Sequence, residues 1–90
     1  MAYNLVYTTQ FKKDFKRIQK QRKDLSKLKT ILELLVAGES LPEKYKDHPL
    51  YGNYEGTRDC HITPDWVLIY VTVGDELRLI RTGSHSELFE

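Results

Sequence analysis

The stretch Val67–Val73, VLIYVTV, is apolar on both parities of a strand. Side chains alternate across a strand, so such a run has to be covered on both faces, as a central strand is. The rest of the 90-residue chain must therefore supply neighbouring strands and cover, around one core. A chain of this length has no room for a second. We expect a single domain over residues 1–90.

The flanking segments fit that demand. YNLVYT (Tyr3–Thr8) is short, aromatic and β-branched and reads as an opening strand. Thr8 or Thr9 then caps a helix through its hydroxyl. Phe11, Phe15 and Ile18 recur at helical spacing, opposite Lys12, Lys13, Lys16, Arg17 and Lys20. QRKD makes a turn, and Asp24 caps a second helix near residues 25–37. Leu25, Leu28, Ile31, Leu32, Leu35 and Val36 form its apolar side, and Gly38 stops it. ESLPEKYKDHPLYGNYEGT, with two prolines and two glycines, reads as a long loop. Loops of this length inside a small domain are commonly functional. Strands resume at about TRDCHI, then DWVLIYVTV with Pro64 in the turn between them, and GDE turns the chain into LRLIRTG. SHSELFE ends it as one helical turn. The order is β-α-α-β-β-β: an α+β domain with a helical hairpin on a small, mostly antiparallel sheet.

Parity sharpens the picture. Cys60 and Ile62 share one face of their strand, Asp59 and His61 the other. Arg81 has the parity of the apolar Leu77 and Leu79, so its guanidinium must leave the core at the strand's end or be paired there. All three histidines lie in the second half of the chain, outside any apolar run. If the long loop folds over the open face of the sheet, His48, His61 and His85 converge near Arg81 and Asp65.

Composition excludes some classes. The chain is 40% hydrophobic and 30% charged, as globular proteins are. No apolar run approaches the roughly 20 residues of a membrane span, and the first residues lack the pattern of a secretory signal. A single cysteine, Cys60, forms no internal disulfide. We expect a cytoplasmic protein without membrane contact. The net charge of +1 conceals a division: residues 1–46 carry +6 and residues 47–90 carry −5, with no lysine after Lys46. A basic front half fits a polyanionic or acidic partner; a well-solvated helical surface is the plain alternative.

Two imidazoles and an arginine suit cleavage of RNA by its own 2′-hydroxyl. A base takes the 2′-OH proton, an acid protonates the leaving 5′-oxygen, and a cation stabilises the pentacoordinate phosphate. Arginine matches phosphate oxygens with a planar fork that stays charged. Phe89, Tyr51, Tyr54 and Trp66 offer stacking surfaces for bases. Each residue also has a plainer reading. His48 closes a turn, His61 faces solvent from a strand, Trp66 belongs to the core, and Asp65 follows Pro64 in a turn. Three histidines and an aspartate are also zinc-ligand types, but H-x-x-x-H and C-x-x-C spacings are absent. We expect neither metal nor cofactor. Residue types and spacing leave these readings side by side.

The segments YKDHPLYGNYEGTRDCHITPDWVLIY and LRLIRTGSHSELF resemble the YafQ branch of the RelE-like toxins of bacterial toxin–antitoxin systems. The likeness extends through FKKDFKR and LSKLKTILELL. Its specific elements are K-D-H-P-L, H-x-x-P-D-W and R-x-G-x-H-x-x-L-F, in that order. The resemblance implies a RelE-like fold and a ribosome-dependent mRNA endonuclease. It makes His48 and His61 candidate general bases and His85 the general acid. Asp65 orients or tunes an imidazole, Arg81 stabilises the phosphate, and Phe89 positions mRNA. Lys12, Lys13, Lys16, Arg17, Lys20, Arg22 and Lys23 would dock onto ribosomal RNA. A cognate antitoxin would neutralise the toxin, with operator DNA contacted only through it. The missing late lysines disfavour the lysine-based chemistry of other RelE relatives. Two alternatives stand beside this: a toxin of the same scaffold acting on another target such as a topoisomerase, and a non-enzymatic nucleic-acid-binding module.

Overall fold

A computed structural model describes residues 2–89. Strand β1 (Asn4–Tyr7) leads into helices α1 (Thr9–Lys20) and α2 (Leu25–Val36). A two-residue strand β2 (His48–Pro49) follows, then β3 (Arg58–Thr63), β4 (Trp66–Val73), β5 (Glu76–Gly83) and helix α3 (His85–Phe89). The five strands lie in the order β1-β5-β4-β3-β2. β1 pairs in parallel with β5, and every other pair is antiparallel.

The helices start and stop where their residues dictate. Thr8 accepts a hydrogen bond from the Phe11 amide at 3.2 Å and caps α1; Asp24 accepts from the Ser26 amide at 3.0 Å and caps α2. Gly38, at φ 77, takes the left-handed conformation just beyond α2 that a residue without Cβ adopts at little cost.

β4 is buried on both faces, as its apolar parities require. Trp66, Leu68 and Tyr70 pack toward the helices with Phe11, Ile18, Leu28, Ile31, Cys60, Leu77 and Leu79. Val67 and Ile69 point the other way into a smaller cluster with Leu88 of α3, flanked by Leu50, Tyr54 and Ile80. The second cluster is the floor of the histidine face. Its cover comes from the long segment after α2 and from the C-terminal helix.

That segment is more ordered than a plain loop. It contains two short 3₁₀ turns, Glu43–Tyr45 and Gly52–Tyr54, and the unforeseen strand β2. Asp47 anchors it, accepting hydrogen bonds from Arg58 Nε at 2.8 Å and from the Tyr70 hydroxyl. No helix among the described residues is long and apolar enough to cross a membrane.

Candidate active site

Register places the site. Across four strands His48, Asp59, Ile69 and Arg81 stand in one row, and His61, Val67 and Gly83 form the next. Residues paired in a ladder share a face at about 4.8 Å between strands. Arg81 reaches this row through a β-bulge: Ile69 pairs with Arg81, but Tyr70 pairs with Leu79, which leaves Ile80 as the extra residue. The bulge breaks the parity that would have kept Arg81 with Leu77 and Leu79.

The imidazoles follow one another along this face. Ring centroids lie 6.2 Å apart for His48 and His61, 4.9 Å for His61 and His85, and 6.0 Å for His85 and Phe89. Tyr54 meets Phe89 edge-on at 5.7 Å. Asp65, from the β3–β4 turn, places Oδ1 3.4 Å from His85 Nδ1. Trp66 is buried instead, its Nε1 donating to Thr82 Oγ1 at 2.9 Å, and fixes the turn that presents Asp65.

Arg81 is held rigidly. Its Nε donates to Asp14 Oδ2 at 2.7 Å, Nη2 to Asp14 Oδ1 at 3.2 Å, and Nη1 to the Tyr54 hydroxyl at 3.5 Å. Asp14 is fully buried. It also accepts from Arg17 Nη1 at 2.9 Å and from the Thr82 amide at 3.2 Å. Burial pulls the Asp14 carboxyl up, but the bonds from Arg81, Thr82 and Arg17 outweigh it and hold the group below the ordinary carboxylate value.

Asp59 is the electrostatic opposite. It is buried, and His48 Nε2 approaches its Oδ1 at 2.7 Å without hydrogen-bond alignment. Burial raises its carboxyl above the ordinary value, against the pull of His48, His61 and His85. The half-buried imidazole of His61 makes no hydrogen bond among the described residues. Burial pushes its imidazole down; Asp59 opposes that, while His85, His48 and Lys46 add to it. Burial likewise pushes the Cys60 thiol far up, leaving an inert core residue. His48, Asp59 and His61 each offer one ligand atom, all within 4.8 Å of one another. Imidazole nitrogens with a carboxylate suit zinc or copper.

The basic face of α1 is only partly as read from the sequence. Lys12, Lys13, Lys16, Lys20 and Arg22 are exposed. Arg17 is turned inward instead, bonded to Asp14, to the Thr82 carbonyl at 2.8 Å and to Glu87 at 3.0 Å. Its position one turn after Asp14 explains the change, because the buried carboxylate needs donors. Lys23 Nζ lies 5.7 Å over the Trp66 ring.

Asp59 and Asp14 were not among the site residues read from the sequence, and Tyr54 was read only as a stacking surface. Asp59 shares the parity of His61, which was legible. Asp14 lies on the Phe11–Ile18 side of its helix, where an acid needs a buried partner. Tyr54 carried no signal beyond its aromatic ring.

The site is a row of imidazoles beside a fixed guanidinium on a small α+β sheet, the residue types that acid–base chemistry on a phosphodiester uses. The chain belongs to the YafQ family, the bacterial toxins of type II toxin–antitoxin systems, whose family model matches residues 3–90. It is 47% identical over 87 residues to the mRNA interferase toxin YafQ of Escherichia coli K12, covering 96% of this chain and 95% of that one. The toxin in the crystal structure of the E. coli DinJ–YafQ toxin–antitoxin complex superposes with a TM-score of 0.91 at 45% identity, covering all of both chains. A metal-bound toxin from Helicobacter pylori superposes with a TM-score of 0.89 at 40% identity, over 99% of this chain and 100% of that one.

Proposed function

We propose that this toxin cuts mRNA on the ribosome by acid–base catalysis, using the 2′-hydroxyl of the RNA as nucleophile. The observation that carries the reading is the convergence of His48, His61, His85 and Arg81 on one face of the sheet. His61 is the principal base: its imidazole is free of side-chain hydrogen bonds, and burial outweighs Asp59 in pushing it below the ordinary value, toward the neutral form a base needs. It takes the 2′-OH proton as the 2′-oxygen attacks phosphorus. His85, oriented by Asp65, gives its proton to the departing 5′-oxygen. Arg81 stabilises charge on the pentacoordinate phosphate. The products are a 2′,3′-cyclic phosphate and a 5′-hydroxyl.

His48 is committed to other contacts, with Nδ1 3.1 Å from the Pro49 carbonyl and Nε2 against Asp59, and serves as the secondary base. Phe89 and Tyr54 seat the bases of the message. Lys12, Lys13, Lys16, Lys20 and Arg22 dock on ribosomal RNA by phosphate contacts without sequence reading. By analogy with the E. coli complex, a cognate antitoxin neutralises the chain and alone links it to operator DNA. The site of action is the cytoplasm.

Residue-level proton transfers of this kind contribute about 10²–10⁴-fold each. In a translating extract we expect discrete new 5′ ends on a defined mRNA with the parent protein. His85→Ala should reduce them at least about 100-fold at an unchanged thermal midpoint. Full cutting by that variant removes His85 from the reaction. The H. pylori relative is metal-bound, and His48, Asp59 and His61 could take an ion here. Zn²⁺ or Cu²⁺ at this trio would occupy the lone pair that His61 needs as a base. Micromolar Zn²⁺ should therefore inhibit cleavage, and chelation should restore it.

A further inference from the structure

Phe89 and Tyr54 stand at one end of the imidazole row. The middle imidazole, His61, also lines a second cleft of about 580 Å³, between α2, the Glu43–Tyr45 turn and the end of β3. Its lining includes Lys27, Lys44 and Lys46 and no carboxylate, and His61 belongs to both the cleft and the row. None of the three lysines forms an ion pair among the described residues. Lys44 Nζ lies over the Tyr45 ring at 5.1 Å. Lys46 holds the left-handed conformation, φ 50 and ψ 46, at the end of the 3₁₀ turn. That backbone normally favours glycine or asparagine. After burial and the neighbouring imidazoles, the Lys46 charge also pulls His61 down.

Three like charges around one concavity repel each other and gain most from a multivalent anion. A scissile phosphate held between His61 and His85 leaves nucleotides to be seated on both sides. Phe89 and Tyr54 offer aromatic faces to one side, and this cleft offers charge to the other. We propose that the cleft is a subsite for the sugar-phosphate backbone of single-stranded RNA, with Lys27, Lys44 and Lys46 as its phosphate contacts. The proposal rests on the RNA-cleaving reading above and assigns the flank of that same substrate. Lysine contacts phosphate as a point charge, so the subsite contributes affinity and register without reading sequence.

Binding separates the two readings, because it needs no cleavage. In the His85→Ala background, a labelled single-stranded RNA oligonucleotide is titrated between 50 and 200 mM salt. The variants compared are Lys27→Gln/Lys44→Gln/Lys46→Asn and, as a charge-change control outside the cleft, Lys29→Gln. Asparagine at position 46 keeps the left-handed backbone accessible, and circular dichroism checks the fold. Each single-strand phosphate contact contributes about 0.7 to the slope of log K against log salt. The triple variant should therefore lose about 2 from that slope and bind on the order of tenfold more weakly, while Lys29→Gln keeps the parent slope. A triple variant with the parent's slope and affinity overturns the subsite, as does a parent that binds no RNA oligonucleotide at low salt. If the subsite binds as described but the His85-bearing parent cuts no message, the cleavage reading fails alone.

Discussion

Two buried carboxylates of opposite character carry the residue-scale argument. Asp14 is held ionised by Arg81, the Thr82 amide and Arg17. A carboxyl lowered on folding adds stability that is present above its ordinary value of 3.8 and is lost as pH falls through the lowered value. Asp14→Asn should therefore cost about 3–5 kcal/mol, as breaking a buried pair does, and should flatten the acid limb of a denaturation curve. An unchanged midpoint in urea would refute the pairing. Asp59 runs the other way. Its carboxyl is raised, so the folded chain holds the proton more tightly, and stability falls as pH rises through 3.8 to the raised value. Above the raised value the whole cost is present. Asp59→Asn should raise the thermal midpoint by a few degrees, since about 1 kcal/mol moves a domain this size by about 4–8 °C. The same variant should cut RNA at least about tenfold more slowly, because His48 loses its partner. A lower midpoint would contradict the account. The histidines, Asp65, Arg81 and Phe89 were legible from motif order. Asp14 was not, because its role depends on a strand 67 residues away.

At the scale of elements, short segments are placed by a few bonds. β2 has two residues, and its hold on β3 is reinforced by Asp47 bridging Arg58 and Tyr70. Tyr70→Phe keeps the buried ring and removes only the hydroxyl. We expect a stability loss of about 1 kcal/mol, with earlier hydrogen exchange at His48 and Leu50. Equal protection in both proteins would show that the strand stands without its anchor. Helix α3 depends on Glu87, which accepts from the Ser84 amide at 2.8 Å and pairs with Arg17. Gly83 leaves the path for that arginine: a Cβ there would lie 2.5 Å from Arg17 Nη2 and 3.0 Å from Glu87 Oε1. Gly83→Ala should displace Arg17 and loosen α3, seen as broadened His85 and Phe89 resonances. Sharp, unshifted signals would argue against this. The long strands and helices were legible because periodicity and caps are local. β2 and the β5 bulge were not: a two-residue strand has no periodicity, and a bulge is a property of the pair.

On the scale of the whole molecule, the double-sided burial of β4 organises everything else. One face takes the helical hairpin and the main core, and the other takes α3, the Tyr54 turn and the histidine row. The histidine row thus sits on the smaller cluster, where side chains such as His48 and Asp65 can be exposed without opening the main core. The charge division follows the same plan, with the exposed lysines of α1 on the helical layer and the imidazoles across the sheet. The central claim is that the imidazole row moves the proton of a ribose 2′-hydroxyl. Its most direct measurement uses a translated mRNA carrying a single 2′-deoxy nucleotide immediately 5′ of a mapped cut. The account predicts that cutting disappears at that bond alone, while neighbouring sites are cut as before and end in 2′,3′-cyclic phosphates. Undiminished cutting at the deoxy position would contradict it.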